Sequence, residues 1–158
     1  MKLNKNNFIK NLNRNFIFEP KPSIAVAVSG GSDSMALLNL LVDWCDLIKG
    51  NVTALIIDHN LRDESAKEAL LINKILKKNN VKIRILSVNK KKVKSKSMKE
   101  ARNNRFSLLT DYCNQNNILH LFLGHHFDDN LETYLIRKIN GSNLEGLASI
   151  NKITSFNN

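Results

Sequence analysis

Cysteine, proline and glycine are all scarce in this chain, at 2, 2 and 6 of 158 residues. Cys45 and Cys113 lie far apart and form neither a CxxC pair nor a zinc-finger spacing, which argues against a disulfide scaffold, an iron–sulfur site and a structural zinc. Two isolated thiols fit a reducing compartment, so the expected location is the cytoplasm. Long apolar runs are missing too. Asn interrupts each N-terminal run before it reaches a signal-peptide core, and no stretch approaches the ~20 apolar residues of a membrane span. Acids are outnumbered: 24 Lys and Arg against 14 Asp and Glu give a formal charge of +10, which predicts an anionic partner, nucleic acid first, with a solvated Lys-rich surface as the alternative.

Two of the few glycines sit together where the chemistry concentrates. Ile24–Val28 is a β-branched apolar run, the pattern of a strand covered on both faces. Ser29, Gly30, Gly31, Ser32, Asp33 and Ser34 break it, and Met35 to Ile48 then recur at helical spacing up to Gly50, where left-handed geometry is wanted. Two adjacent glycines accept positive φ and let the backbone approach a ligand, while Asp33 and Ser34 stand where the helix begins. Unpaired N–H groups and the helix dipole make that junction a place for pyrophosphate. No Lys follows the glycines, so the loop is not a Walker A loop, and the lack of GxGxxG disfavours a hydride-transferring enzyme. The bland alternative is a capped Gly-Gly turn with no ligand.

Phe8, Ile9, Leu12 and Phe16 predict a short amphipathic helix over about 5–16, part of a lead-in covering 1–19 that Pro20 and Pro22 terminate. The main domain is expected over 20–158. VTALII, 52–57, reads as a second buried strand, and Ile57, Asp58 and His59 at its end fall where a parallel sheet binds ligands. A helix over 65–79, a strand over 81–88, a helix over 97–116 and a strand over 119–123 follow. Strand and helix alternate, so the fold expected is α/β with three layers: a mainly parallel sheet, helices on both faces and right-handed crossovers. Lys90, Lys91, Lys92, Lys94 and Lys96 precede the helix that carries Arg102 and Arg105. Lys91, Lys92, Lys94, Arg105 and the later Arg137 are the candidate RNA contacts, reading backbone rather than sequence. Aromatics are absent from the basic run, which argues against a dedicated single-strand stacking platform.

A second constellation follows the fourth strand: His125, His126, Asp128, Asp129 and Glu132. Acids at a helix start balance the dipole, but two His and three acids within eight positions exceed that need. Carboxylates beside a polyphosphate hold Mg2+, and Asp33 and Asp129 are the candidates. A metal hydrolase competes for the same residues, since His125 and Asp129 are four apart. Neither HExxH nor a His-Asp doublet occurs, however, and no third ligand is visible.

SGGSDS resembles the loop of the PP-loop ATP pyrophosphatase superfamily, which cleaves ATP between the α and β phosphates. Further motifs narrow the resemblance to the tRNA(Ile)-lysidine synthetases and their N-terminal catalytic domain. IIDHNLR, Ile56 to Arg62, is similar to their VDHGLR; KEARNNRF, Lys99 to Phe106, to EARxxRY; GHHFDDNLET to GHHxDDQxET; and GSNLEGLASI, Gly141 to Ile150, to GSGLxGLxGM. Asn130 stands for Gln, Asn60 and Asn143 for Gly, Asn140 for an Arg and Ile150 for Met. The family continues past this length, so truncation at the C-terminal end is expected.

The resemblance implies an adenine nucleotide alpha hydrolase-like, Rossmann-like PP-loop fold and two-step chemistry on tRNA(Ile) with ATP, Mg2+ and free lysine. ATP is held by Ser29, Gly30, Gly31, Ser32, Asp33, Ser34, Ile57, Asp58 and His59. The wobble cytidine is adenylated, and lysine then displaces AMP. Asp33, Asp129 and Arg102 stabilise the phosphate charge, Asp128 and Glu132 bind the lysine ammonium, and His125 or His126 shuttles a proton. Two readings stay open beside it: a non-catalytic nucleotide- or RNA-binding remnant, and another PP-loop tRNA-modifying enzyme such as a thiolase, which commonly wants a cysteine pair.

Overall fold

The computed structural model describes residues 4–58, 81–87 and 98–124. Helix α1 (Lys5–Asn15) begins on Asn4, whose side chain accepts from the Asn7 N–H, and stops where Phe16 turns extended. Strand β1 (Ser23–Val28), helix α2 (Ser32–Ile48) and strand β2 (Asn51–Asp58) follow. Strand β3 (Lys82–Ser87), helix α3 (Met98–Gln115) and strand β4 (His120–Leu123) complete the described elements. They belong to one compact unit, Met1–Leu123.

The four strands form one parallel sheet in the order β3-β2-β1-β4. Side chains alternate across it with the two-residue period of a strand. Ile24, Val26, Val28, Ala54 and Ile56 face α2 through Leu38, Leu41, Trp44 and Cys45, with Leu12 of α1 in the same cluster. Ala25 and Leu55 face the other way, onto Leu109, Cys113 and Ile118. The fold is therefore α/β in three layers, and the doubly covered strands explain the unbroken apolar runs in β1 and β2.

Three expectations differ from the structure. Gly50 does not supply the left-handed end of α2; Lys49 does, at φ 58° and ψ 33°. Gly50 is needed for space, since a Cβ there would lie 2.8 Å from the Pro22 carbonyl oxygen, beside the bond that oxygen accepts from the Asn51 N–H. Leu47, counted with the apolar face of α2, is 65% exposed, and Leu119, counted with β4, precedes the strand and is 75% exposed. Both thiols are buried. Burial, with the Asp46 charge nearby, pushes Cys45 up to about 12, and burial alone pushes Cys113 to about 11. Among the described residues, no helix is long and apolar enough to cross a membrane. The expected helix over 65–79 and everything after Gly124 lie outside the described residues.

Candidate functional site

Sheet order locates the site before any side chain does. From β1 the chain moves outward through β2 to β3, then returns to place β4 on the opposite side of β1. The order thus reverses between β1 and β4, and ligands of open α/β sheets bind outside the carboxyl ends of the strands at such a point. At that edge Ala27 pairs with Leu123 and Val28 with Ile56, and the Ser29–Ser34 segment leaves β1 there.

The segment is a tight strand-to-helix turn. Gly30 takes φ 83°, a conformation that side-chain-bearing residues rarely adopt. Gly31 does not share it: at φ −70° and ψ 158° it is extended, the usual state of a helix N-cap, so only one of the two glycines has positive φ. The helix starts at Ser32, one residue before the expected position, and the Met35 N–H makes its first backbone bond to the Gly31 carbonyl at 3.1 Å. Gly31 has no side chain with which to cap the first-turn amides. A helix start of this kind offers donors and a positive dipole end to an anion.

Hydroxyl groups organise the rest of the turn. Ser34 is buried, at 6% exposure, and its Oγ donates to the Gly31 carbonyl at 3.0 Å and accepts from the Ser29 N–H at 3.3 Å. Ser29 Oγ lies 3.3 Å from Ser34 Oγ and accepts from the Gly31 N–H at 3.4 Å. Ser32 is exposed and its hydroxyl leans toward Asp33 Oδ1 at 3.4 Å. Asp33 sits in the first turn, exposed at the rim of the loop.

Two other candidates share this edge. Asp58 ends β2, buried to 7% exposure and paired in register with Ser87. Ile57 packs with the Ala25–Leu55–Leu109 cluster, so its side chain belongs to the layer beneath α3. On α3, Arg102 and Arg105 lie two turns and one turn before Leu109, about 10 and 6 Å along the axis toward the carboxyl edge. Their guanidinium carbons stand 5.7 and 5.6 Å from the Phe106 ring centroid, a cation–π arrangement in which one ring faces two charges. Burial, and then the Arg102 charge, draw Arg105 below its usual range. The role of Phe106 escaped the sequence reading, although the four-residue spacing from Arg102 was its signal.

His59, Lys91, Lys92, Lys94, His125, His126, Asp128, Asp129, Glu132 and Arg137 lie outside the described residues. Among the described residues no three His, Cys, Asp or Glu side chains cluster closely enough to hold a metal ion.

A profile of the PP-loop domain family matches residues 1–158. Curated relatives named tRNA(Ile)-lysidine synthase include one from Orientia tsutsugamushi, 42% identical over 147 residues, which are 92% of this chain and 33% of the relative. One from a Wolbachia of Brugia malayi is 40% identical, covering 85% of this chain and 32% of its own length. One from Rickettsia rickettsii is 39% identical, with 95% and 30% covered. The chain thus spans about a third of the length of the curated relatives it matches. Two solved structures share the fold. A U34-tRNA thiolase from Methanococcus maripaludis superposes with TM-score 0.75 at 19% identity, over 91% of this chain and 51% of its own. An NMN synthetase from Francisella tularensis does so with TM-score 0.52 at 13% identity, over 95% and 76%. The glycine-turned loop, the sheet order behind it and a family match along the whole length agree: this chain belongs to the PP-loop domain family.

Proposed function

We propose that this chain is the ATP-using domain of a cytoplasmic tRNA(Ile)-lysidine synthetase. The observation that carries the reading is SGGSDS folded as the junction of β1 and α2 at the reversal point of the sheet, in a chain 42% identical to a relative of that name. In the first step the C2 oxygen of the wobble cytidine attacks the α-phosphorus of ATP, the bond to the β-phosphate breaks and pyrophosphate leaves. In the second, the ε-amine of free lysine attacks C2, the C2–O bond breaks, AMP leaves and the amine gives up a proton.

The loop amides and the exposed Ser32 hydroxyl hold the polyphosphate, and Arg102 stabilises charge that builds on phosphate oxygens. Asp33 offers an exposed carboxylate oxygen of the hard kind that Mg2+ takes, and we assign Asp33 and Asp129 to that ion. When bound, Mg2+ supplies charge neutralisation on the phosphates. Asp128 and Glu132 receive the lysine ammonium, and His125 or His126 takes its proton. Lys91, Lys92, Lys94 and Arg137 contact the tRNA backbone together with Arg105, which predicts binding that weakens steeply with salt.

The test follows labelled pyrophosphate and labelled lysine in parallel, with the chain and an anticodon stem-loop. Asp33→Asn abolishes pyrophosphate release, because each lost charge-assisted contact costs about 2–4 kcal/mol in the transition state. Glu132→Gln leaves pyrophosphate release intact while lysine incorporation falls. ATP binding without turnover assigns a nucleotide-binding module instead, and no binding at millimolar ATP overturns the reading.

A further inference from the structure

We infer that Ser34 is a positioning residue of the nucleotide loop and not a contact to the phosphates; the inference rests on the ATP reading above. A hydroxyl has one proton to donate and two lone pairs, whereas phosphate oxygens at neutral pH chiefly accept. Ser34 spends its proton on the Gly31 carbonyl at 3.0 Å and a lone pair on the Ser29 N–H at 3.3 Å. Nothing is left for it to offer an anion. Because its proton points to Gly31, the 3.3 Å contact with Ser29 Oγ has Ser29 as donor, and Ser29 in turn accepts from the Gly31 N–H at 3.4 Å. The two serines thus form an internal strut that ties the last residue of the loop to its first. The strut holds Gly30 in its positive-φ turn and Gly31 in its cap position. Of the three loop serines Ser34 is the buried one, whereas Ser29 and Ser32 lie exposed.

This division of labour has a signature that needs no ligand. In the apo protein the Ser29 amide is protected from hydrogen exchange by Ser34, and Ser34→Ala accelerates its exchange about tenfold, the size expected for loss of one such bond. The same variant raises the Kd for ATP about tenfold by calorimetric titration, while Ser34→Thr, which keeps the hydroxyl, restores both values. Ser34→Cys, which keeps the volume with a weaker donor and acceptor, falls between and guards against a failure of the alanine variant to fold. A weaker Kd with unchanged Ser29 exchange makes Ser34 a direct ligand contact and overturns the inference, as does unchanged affinity in a folded Ser34→Ala protein. If the wild type fails to bind ATP, the functional reading falls, and the exchange arm still decides the strut.

Discussion

Trp44 of α2 donates its indole N–H to the Asn13 side-chain carbonyl of α1 at 3.0 Å, across 31 positions of chain. Trp44 is only 1% exposed and packs on Phe18 with ring centroids 4.6 Å apart, so the bond anchors the lead-in helix to the core. Asn13→Ala leaves that donor without its partner and is expected to lower stability by about 1 kcal/mol, since water reaches the Asn13 side and recovers part of the loss. Urea unfolding followed by the fluorescence of the single Trp measures it. Unchanged stability and emission would mean that α1 docks through Leu12, its apolar neighbours and the Lys5–Asp43 ion pair instead.

Gly30 and Gly31 are expected to separate on substitution although they are adjacent. Gly30→Ala forces a side chain into φ 83°, at a cost of about 1–2 kcal/mol, and disturbs the loop. Gly31→Ala adds a Cβ whose nearest neighbour, Ser29 Oγ, stands at an ordinary 3.5 Å in an unstrained backbone. Its cost is the poorer N-capping of Ala, a few tenths to about 1 kcal/mol. Thermal unfolding of the two variants should rank Gly30→Ala as the less stable.

Lys49 and Gly50 should part in the opposite sense to their usual roles. Lys49→Gly relieves a left-handed residue at φ 58° and is expected to be neutral or stabilising by up to about 1 kcal/mol. Gly50→Ala places a methyl 2.8 Å from the Pro22 carbonyl oxygen and 3.2 Å from Cys45 Sγ, so the backbone must shift. The loss expected is about 1–3 kcal/mol, as for an overpacked core. Denaturant midpoints that move together would refute the assignment of the left-handed position.

Glu19 ties the lead-in to the start of β4, with Oε2 at 2.6 Å from His120 Nε2. Burial raises its pKa, but backbone hydrogen bonding at Glu19, the bond and charge of His120 and the Ser23 backbone outweigh that and hold it below the usual 4.5. A depressed carboxyl stabilises the fold fully above its unfolded value, and the contribution is lost as pH falls through the folded value. The melting-temperature advantage of wild type over Glu19→Gln should therefore shrink as pH falls below 4.5. An advantage that grows on acidification would contradict the sign.

Much of the fold was legible because local chemistry sets it. Ile24–Val28 and Leu55–Ile57 are too uniformly apolar for a half-exposed strand, which announced a sheet covered on both faces, and their alternation with helices announced parallel pairing. SGGSDS placed the candidate site because few arrangements other than a strand-to-helix phosphate turn need those residues together. Contacts between elements were not legible. Nothing in the positions of Asn13 and Trp44, or of Glu19 and His120, marks them as partners, since their pairing depends on how α1 and β4 pack about the sheet.

By itself, then, the sequence determined the elements, the three layers and the loop, all of which follow from periodicity and from the few residues able to adopt a given backbone. Only the tertiary structure decided the strand order β3-β2-β1-β4, and with it the reversal point beside the loop, because order depends on which edge each returning strand finds free. It also decided that of the two loop glycines Gly30 takes the positive φ and that the Ser34 hydroxyl turns inward to its own loop. Those outcomes rest on a few ångströms of hydrogen-bond geometry, which residue identity permits but does not choose.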